Sequence, residues 1–328
     1  MLDQQEKLWD YKAVQPGQAG QPTVVSITND NIAEYARLSQ NPGYSGGPVA
    51  MPTMVLSYAP LLRDDIAQSN GFVALEQSRT ARRQTPFAKC EIRWVRPVQA
   101  GDAITATRRV LEKYQRRGSK FVTFRIEAAN QHSQKVAEYD YTCIFEYAKG
   151  QREVPQDSAA SQPTSAETGN TQRGQGAPQL LTFDVVSVGE QLAPLTIIES
   201  QEVINRKNDF RLAGGPSASN IHTDEEFARQ NIFGGTVNSG PATMSYVDQM
   251  LEQSFPLDAF YNGGSLLMRA ITPFRSGDTV TFGGEITGKR EIPLNQGGRK
   301  GSVLECRVKG INQRGELVCV ADAVMVMG

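Results

Sequence analysis

Thr272-Pro-Phe-Arg-Ser-Gly-Asp278-Thr-Val-Thr281 repeats a pattern met 176 residues earlier in Arg96-Pro-Val-Gln-Ala-Gly-Asp102-Ala-Ile-Thr105. Both read Pro-x-x-x-Gly-Asp and then alternate apolar with polar residues, a tight turn that launches a strand. A second echo lies downstream. Asn130-Gln131 before Val136–Asp140 parallels Asn312-Gln313 before Leu317–Asp322, now 182 residues apart, so the second copy holds six more residues in between. The turn-rich stretch Pro293-Leu-Asn-Gln-Gly-Gly298 is where they are expected. Each copy opens on an amphipathic helix. Thr28 caps the first, through Ile32–Leu38, and Ser200 the second, which takes in Val203, Ile204 and Phe210. A longer apolar helix follows in each copy, Thr53 to Leu62 and Ala242 to Leu251. Alternating strands come next, such as Phe121–Ile126 and Ser302–Val308, with the period of an antiparallel sheet that buries one face.

A chain of 328 residues is comfortable as two domains. The stretch from 150 to 179 is Gln, Ser, Thr, Gly and Pro with almost nothing to bury, and such composition does not offset its ordering entropy. The expected layout is therefore a loose N-terminus (1–20), a first domain (21–149), a flexible linker (150–179) and a second domain (180–328). Lys and Arg number 34 against 35 Asp and Glu, a net charge of −1, so bulk charge favours neither nucleic acid nor an anionic membrane. No apolar run approaches the ~20 residues that span a bilayer, and a cytoplasmic protein is expected. Cys90, Cys143, Cys306 and Cys319 lie in strand-like runs without a Cys-x-x-Cys pair, which predicts buried reduced thiols. Two histidines are too few for a histidine metal centre, and no metal or cofactor is expected. Gly283-Gly284 and Gly297-Gly298 lack the spacing of a nucleotide-binding loop.

His222 is the main candidate for chemistry. It sits between a loop rich in Gly, Ser and Asn (Gly214 to Asn220) and an acidic helix start (Asp224-Glu-Glu), and a histidine exchanges protons near neutrality. The other histidine, His132, falls in a predicted hairpin turn and reads as an exposed turn residue.

Phe210, Ile221, His222, Thr223-Asp224, Ala228 and the run Gly234-Gly-Thr-Val-Asn-Ser-Gly240 resemble the signature of MaoC-like hydratases and dehydratases, of the (R)-specific enoyl-CoA hydratase type. The resemblance implies an α+β double hot-dog, two antiparallel sheets each wrapped around a central helix. It implies a hydro-lyase that hydrates an enoyl thioester or dehydrates a 3-hydroxyacyl thioester. An acyl-CoA thioesterase and a noncatalytic acyl-thioester-binding protein are the alternatives on the same fold. The substrate implied is an acyl-CoA thioester, or an acyl group on a carrier protein, in a homodimer or a pseudo-dimeric monomer. By the same resemblance the first half, with Ser39–Pro48 in the equivalent loop and no histidine there, is expected to be noncatalytic and to shape the acyl tunnel.

In the family a carboxylate five positions before the histidine shares the proton work, and here that position is Ser217, while Ser219 and Asn220 replace the family's Asn and Pro. Three possibilities stay open: Asp209, which with Phe210 resembles the opening of the family loop; Ser217 holding a water; or no partner. Asp224 is expected to cap the next helix. Gly235, Asn238, Ser239 and Gly240 are expected to hold the thioester oxygen, since Ser239 and Pro241 mark a helix start with free N–H groups. The basic runs Arg79–Arg83 and Lys113–Arg117 read as solvated faces, with a coenzyme A phosphate as the alternative.

Overall fold

The two Gly-Asp turns repeat each other bond for bond. The computed structural model describes residues 6–148, 170–173, 180–215, 220–293 and 300–327. Gly101 and Gly277 both take the left-handed backbone, φ 97° and 83°, that glycine adopts without steric cost. Gln99 N donates to Asp102 Oδ2 at 2.9 Å, and Arg275 N to Asp278 Oδ2 at 2.9 Å. Ile27 exchanges backbone bonds with Gly101 and Asp102, and Glu199 exchanges the same pair with Gly277 and Asp278.

The first half runs β1 (Thr23–Ser26), α1 (Asn29–Leu38), a 3-10 turn (Pro52–Met54) into α2 (Val55–Tyr58), α3 (Arg63–Ser69), β2 (Phe87–Trp94), β3 (Ala103–Arg116), β4 (Ser119–Ala129) and β5 (Lys135–Glu146). The second runs β6 (Asn170–Arg173), β7 (Leu195–Ile198), α4 (Gln201–Asp209), α5 (Glu225–Arg229), α6 (Gly240–Glu252), α7 (Leu257–Tyr261), β8 (Ser265–Ala270), β9 (Thr279–Pro293), β10 (Lys300–Asn312) and β11 (Leu317–Met327). Among the described residues the strands lie in the order β1-β3-β4-β5-β2-β8-β11-β10-β9-β7-β6, antiparallel throughout. β2 and β8 pair with Cys90 opposite Met268 and Ile92 opposite Leu266, so the two expected sheets are fused edge to edge into one. That pairing removes the bare edge each half would otherwise present.

The helix α6 is buried along ten consecutive residues, Ala242 to Leu251, as expected of a helix enclosed by a sheet rather than laid on it. Its first-half counterpart is much shorter than the expected Thr53–Leu62. Pro60 has no N–H to continue the ladder and biases Ala59 away from helical geometry, so α2 ends at Tyr58. The caps are as expected: Thr28 Oγ1 accepts from Asn31 N and Ser200 Oγ from Val203 N.

Residues 6–20 pack against the first half instead of hanging loose. Trp9 and Val14 are buried, the Trp9 ring lies 5.9 Å from Phe124, and its Nε1 donates to Gln18 Oε1 at 2.8 Å. Two apolar anchors suffice to order a segment whose average composition is polar. Of the expected linker only Asn170–Arg173 are described, as β6 on the edge of β7; the rest lies outside the described residues. β9 and β10 pair out to Pro293 and Lys300. The hairpin between them, 294–299, also lies outside the described residues. All four cysteines are free and buried. No helix among the described residues is long and apolar enough to cross a membrane.

Candidate active site

The halves differ most in the loop ahead of the central helix. Ala50 N donates to Val98 O in the first half, and Asn238 N to Phe274 O in the same place of the second. Ile27 and Ala50 are 23 positions apart, Glu199 and Asn238 are 39, so the second half holds 16 more residues here. They carry α5 and His222.

That loop is fastened from several sides. Asp224 caps α5 by accepting from Phe227 N at 3.0 Å, as expected. Ile221, Ala228 and Val237 form a small apolar cluster beneath it. Asn220 Oδ1 accepts from His222 N at 2.8 Å, Asn208 Oδ1 accepts from Asn220 Nδ2 at 3.2 Å, and Gln201 Nε2 donates to His222 O at 2.8 Å. The imidazole is fixed in turn by Val237 O, 2.8 Å from Nδ1. A carbonyl only accepts, so Nδ1 carries the proton and Nε2 presents a lone pair. Burial pushes the His222 pKa down to about 4, and the nearby charges of Arg63 and Arg211 add to the shift against the opposing bond to Val237. The ring is neutral at pH 7.

His222 stands where two cavities meet, one of about 290 Å³ and one of about 310 Å³. His222, Ser239, Arg63, Gln84 and Tyr141 line both. The first chamber is polar, with Lys207, Asn208 and Arg211 on its wall. The second is apolar, walled by Phe87, Phe233, Phe274 and Met268 among others. Arg63 comes from the first half. Its guanidinium pairs with Glu76 at 3.0 Å and donates to Cys143 Sγ at 3.0 Å, so both halves build the junction.

The start of α6 closes the site from below. Ser239 Oγ accepts from Ala242 N at 3.2 Å, and Pro241 has no N–H. The Gly240 N–H makes no hydrogen bond to the described residues, and Gly240 lines the apolar chamber. Only glycine fits there: a Cβ would lie 2.4 Å from the Phe87 ring.

Asn238, expected to bind substrate, is occupied at both ends. Its Nδ2 donates to Glu199 Oε2 at 2.8 Å and its Oδ1 accepts from Ser239 N at 2.8 Å. It thereby seats the helix cap. Glu199 also accepts from Tyr246 Oη at 2.8 Å and Ser200 N at 3.1 Å, and burial raises its pKa to about 7. Glu199 was not singled out from the sequence; the available signal was an acidic residue at the place held by the apolar Ile27 in the first copy.

Gly235 lines neither cavity; a Cβ there would face Arg275 Nη1 at 3.2 Å, and Arg275 donates to Thr236 O and Phe233 O to hold the loop. Asp209 is exposed and lines neither cavity, so it is not brought to His222. α4 runs on through Asp209, and it is Phe210 that turns inward, its ring 6.0 Å from Tyr35. Ser217 lies outside the described residues.

Residues 208–304 match the family described as "MaoC like domain". A solved structure described as a MaoC-like dehydratase aligns at a TM-score of 0.62 and 17% identity, covering 95% of this chain and 98% of its own. A putative MaoC domain protein dehydratase from Chloroflexus aurantiacus aligns at 0.61 and 14%, covering 99% and 98%. A Mycobacterium tuberculosis protein described as having a double hotdog fold aligns at 0.55 and 13%, covering 97% and 98%. No curated protein sequence matches the chain. At these identities the structures establish the shared double hot-dog fold, and the family match falls on the half that holds His222. This chain has the double hot-dog fold, and its residues 208–304 match the MaoC like domain.

Proposed function

We propose that the protein is a hydro-lyase acting on an acyl-CoA thioester, adding water across an enoyl double bond or removing it from a 3-hydroxyacyl group. The observation that carries this reading is the free Nε2 lone pair of His222 at the junction of two cavities, beside the start of α6. Nε2 takes a proton from water as the water oxygen bonds to Cβ. The electron pair of the double bond moves onto the thioester, where the Gly240 N–H and the positive end of α6 receive the oxygen's charge. The imidazolium then gives its proton to Cα, and His222 is neutral again. One group thus serves as base and acid; Asp64 and Glu76 also line the polar cavity, and Glu76 is held there by Arg63 and Thr85. A depressed pKa makes His222 a weak base but its conjugate acid a strong one, and the return of the proton to Cα is the step it favours.

The test follows enoyl-CoA absorbance and free thiol release together. Loss of enoyl absorbance without thiol, at least about a hundredfold slower in His222→Ala, is the expected result. Thiol release from a saturated acyl-CoA would assign a thioesterase instead. Undiminished turnover in a folded His222→Ala variant would remove His222 from the chemistry.

A further inference from the structure

The loop that carries His222 leaves α4 and returns to α6, and one side chain ties its two limbs together. Gln201, the first residue of α4, donates from Nε2 to His222 O and to Asn205 Oδ1, each at 2.8 Å, and its Oε1 accepts from Thr236 Oγ1 at 2.8 Å. A carbonyl only accepts, so the bond to His222 O fixes which end of the amide is nitrogen. Both of its N–H groups and its oxygen are then engaged. The limbs also meet directly, through Val237 N to Ile221 O at 3.2 Å and between His222 Nδ1 and Val237 O at 2.8 Å. Gln201 thus holds the backbone of His222 on one side and, on the other, the neighbour of the carbonyl that the imidazole needs. Arg275 steadies the same point by donating to Thr236 O at 3.0 Å.

Neither Gln201 nor Thr236 lines either cavity, so neither is placed to touch substrate. The helix itself does not require the amide. In the first half the matching position, one residue after the Thr28 cap, is Asn29, which is exposed, and the shorter loop there carries no histidine. What the amide sets in the second half is the spacing between His222 and Val237, and that contact keeps the proton on Nδ1 and the lone pair on Nε2. Building on the hydro-lyase reading, we propose that Gln201 is a positioning residue for that reaction: by bridging His222 and Thr236 it holds the imidazole in one tautomer and aims Nε2 at the reacting water. Without the bridge the ring keeps no fixed distance from Val237 O and both tautomers are populated. Only the fraction with a bare, correctly aimed Nε2 then works as a base. Methionine matches the length of glutamine and offers neither the N–H donors nor the oxygen.

The test joins steady-state kinetics on crotonyl-CoA to nitrogen NMR of the full chain labelled at histidine. The sequence has only two histidines, so His222→Ala identifies the His222 signals. In the wild type at neutral pH they should be those of a neutral ring protonated at Nδ1. Gln201→Met should move them towards the average of the two tautomers and lower kcat at least about tenfold, within what a misplacement of up to about 1 Å costs, with KM changed by less than about twofold. Thr236→Val removes one bond of the bridge and should act in the same direction but less, and Thr236→Ser, which keeps the hydroxyl, should behave as the wild type. Because both act through one bridge, the double variant Gln201→Met/Thr236→Val should be no worse than Gln201→Met alone. Thr236→Val carries the test should Gln201→Met fail to fold. Unaltered His222 signals in folded Gln201→Met overturn the proposal even if its melting temperature falls, since a merely structural tie would cost stability alone. A raised KM with kcat intact would place Gln201 against the substrate and overturn it too. The NMR measurement needs no turnover, so the two readings fail separately. A Gln201-dependent tautomer in a chain that hydrates no enoyl thioester strikes the reaction, and hydration that depends on His222 but not on Gln201 strikes the positioning role.

Discussion

Replacing His222 by glutamine should change how stability depends on pH, and the size follows from the buried ring. The unfolded side chain titrates near 6.5 and the folded one near 4, so below pH 6.5 the unfolded chain binds a proton that the folded chain refuses. Stability is therefore lost as pH falls from about 6.5 towards 4, and none of it is lost above 7. Worked at 1.36 kcal/mol per pKa unit, the wild type should lose about 2 kcal/mol through His222 between pH 7.5 and pH 5. This is an upper bound, since the ring's accessible edge faces chambers that water can enter. Urea unfolding of wild type and His222→Gln at pH 7.5, 6 and 5 gives the measurement. Burial raises Glu199 and Asp248 towards neutrality, and each titrates in both proteins, so the difference between the two curves isolates the histidine. The wild type should lose its margin over the variant, or fall further behind it, as pH drops. A difference that stays constant from 7.5 to 5 would mean that the imidazole is hydrated and titrates normally, and the acid limb of kcat/KM would then fall near 6.5 instead of near 4.

Three further outcomes are expected. Gly240→Ala drives a Cβ into the Phe87 ring and should cost about 1–3 kcal/mol with a marked drop in kcat; if Phe87→Ala in the same chain restores neither, the close approach is not the cause. Glu199→Ile copies the first half and strips Asn238 Nδ2 and Tyr246 Oη of their acceptor, for about 1–3 kcal/mol per stranded group and a slower enzyme with little change in KM; unaltered thermal unfolding would refute that role. Asp209→Asn should leave turnover within about twofold, because the residue is exposed and away from both cavities; a loss as severe as that of His222→Ala would show that α4 unwinds when substrate binds.

What the sequence made legible is what local chemistry determines. Thr28, Ser200, Asp224 and Ser239 all cap the helices assigned to them, and the Gly-Asp turns open β3 and β9. An apolar run masks the single breaker Pro60, so the helix expected over Thr53–Leu62 extends past the end of α2 at Tyr58. Trp9 and Val14 were missed because composition averages over a window while burial acts on single side chains. In the site, His222 and the start of α6 were accessible from residue type and spacing. Arg63, Lys207 and Glu199 were not: they lie 159, 15 and 23 positions from His222, and Arg63 reaches the junction only by the folding of one half on the other, Lys207 and Glu199 by the folding of the second half on itself.

Lys207 and Tyr35 occupy the same place in their respective halves, each seven residues after its helix cap, and they touch across the approximate symmetry axis. In an assembly of two identical chains such a residue would meet its own copy, Lys on Lys or Tyr on Tyr. Cation against ring at that spot needs halves that differ in sequence, as the two halves of this chain do. The contact therefore cannot be rebuilt by pairing two copies of either half, and the seam at this point depends on the two halves being unlike.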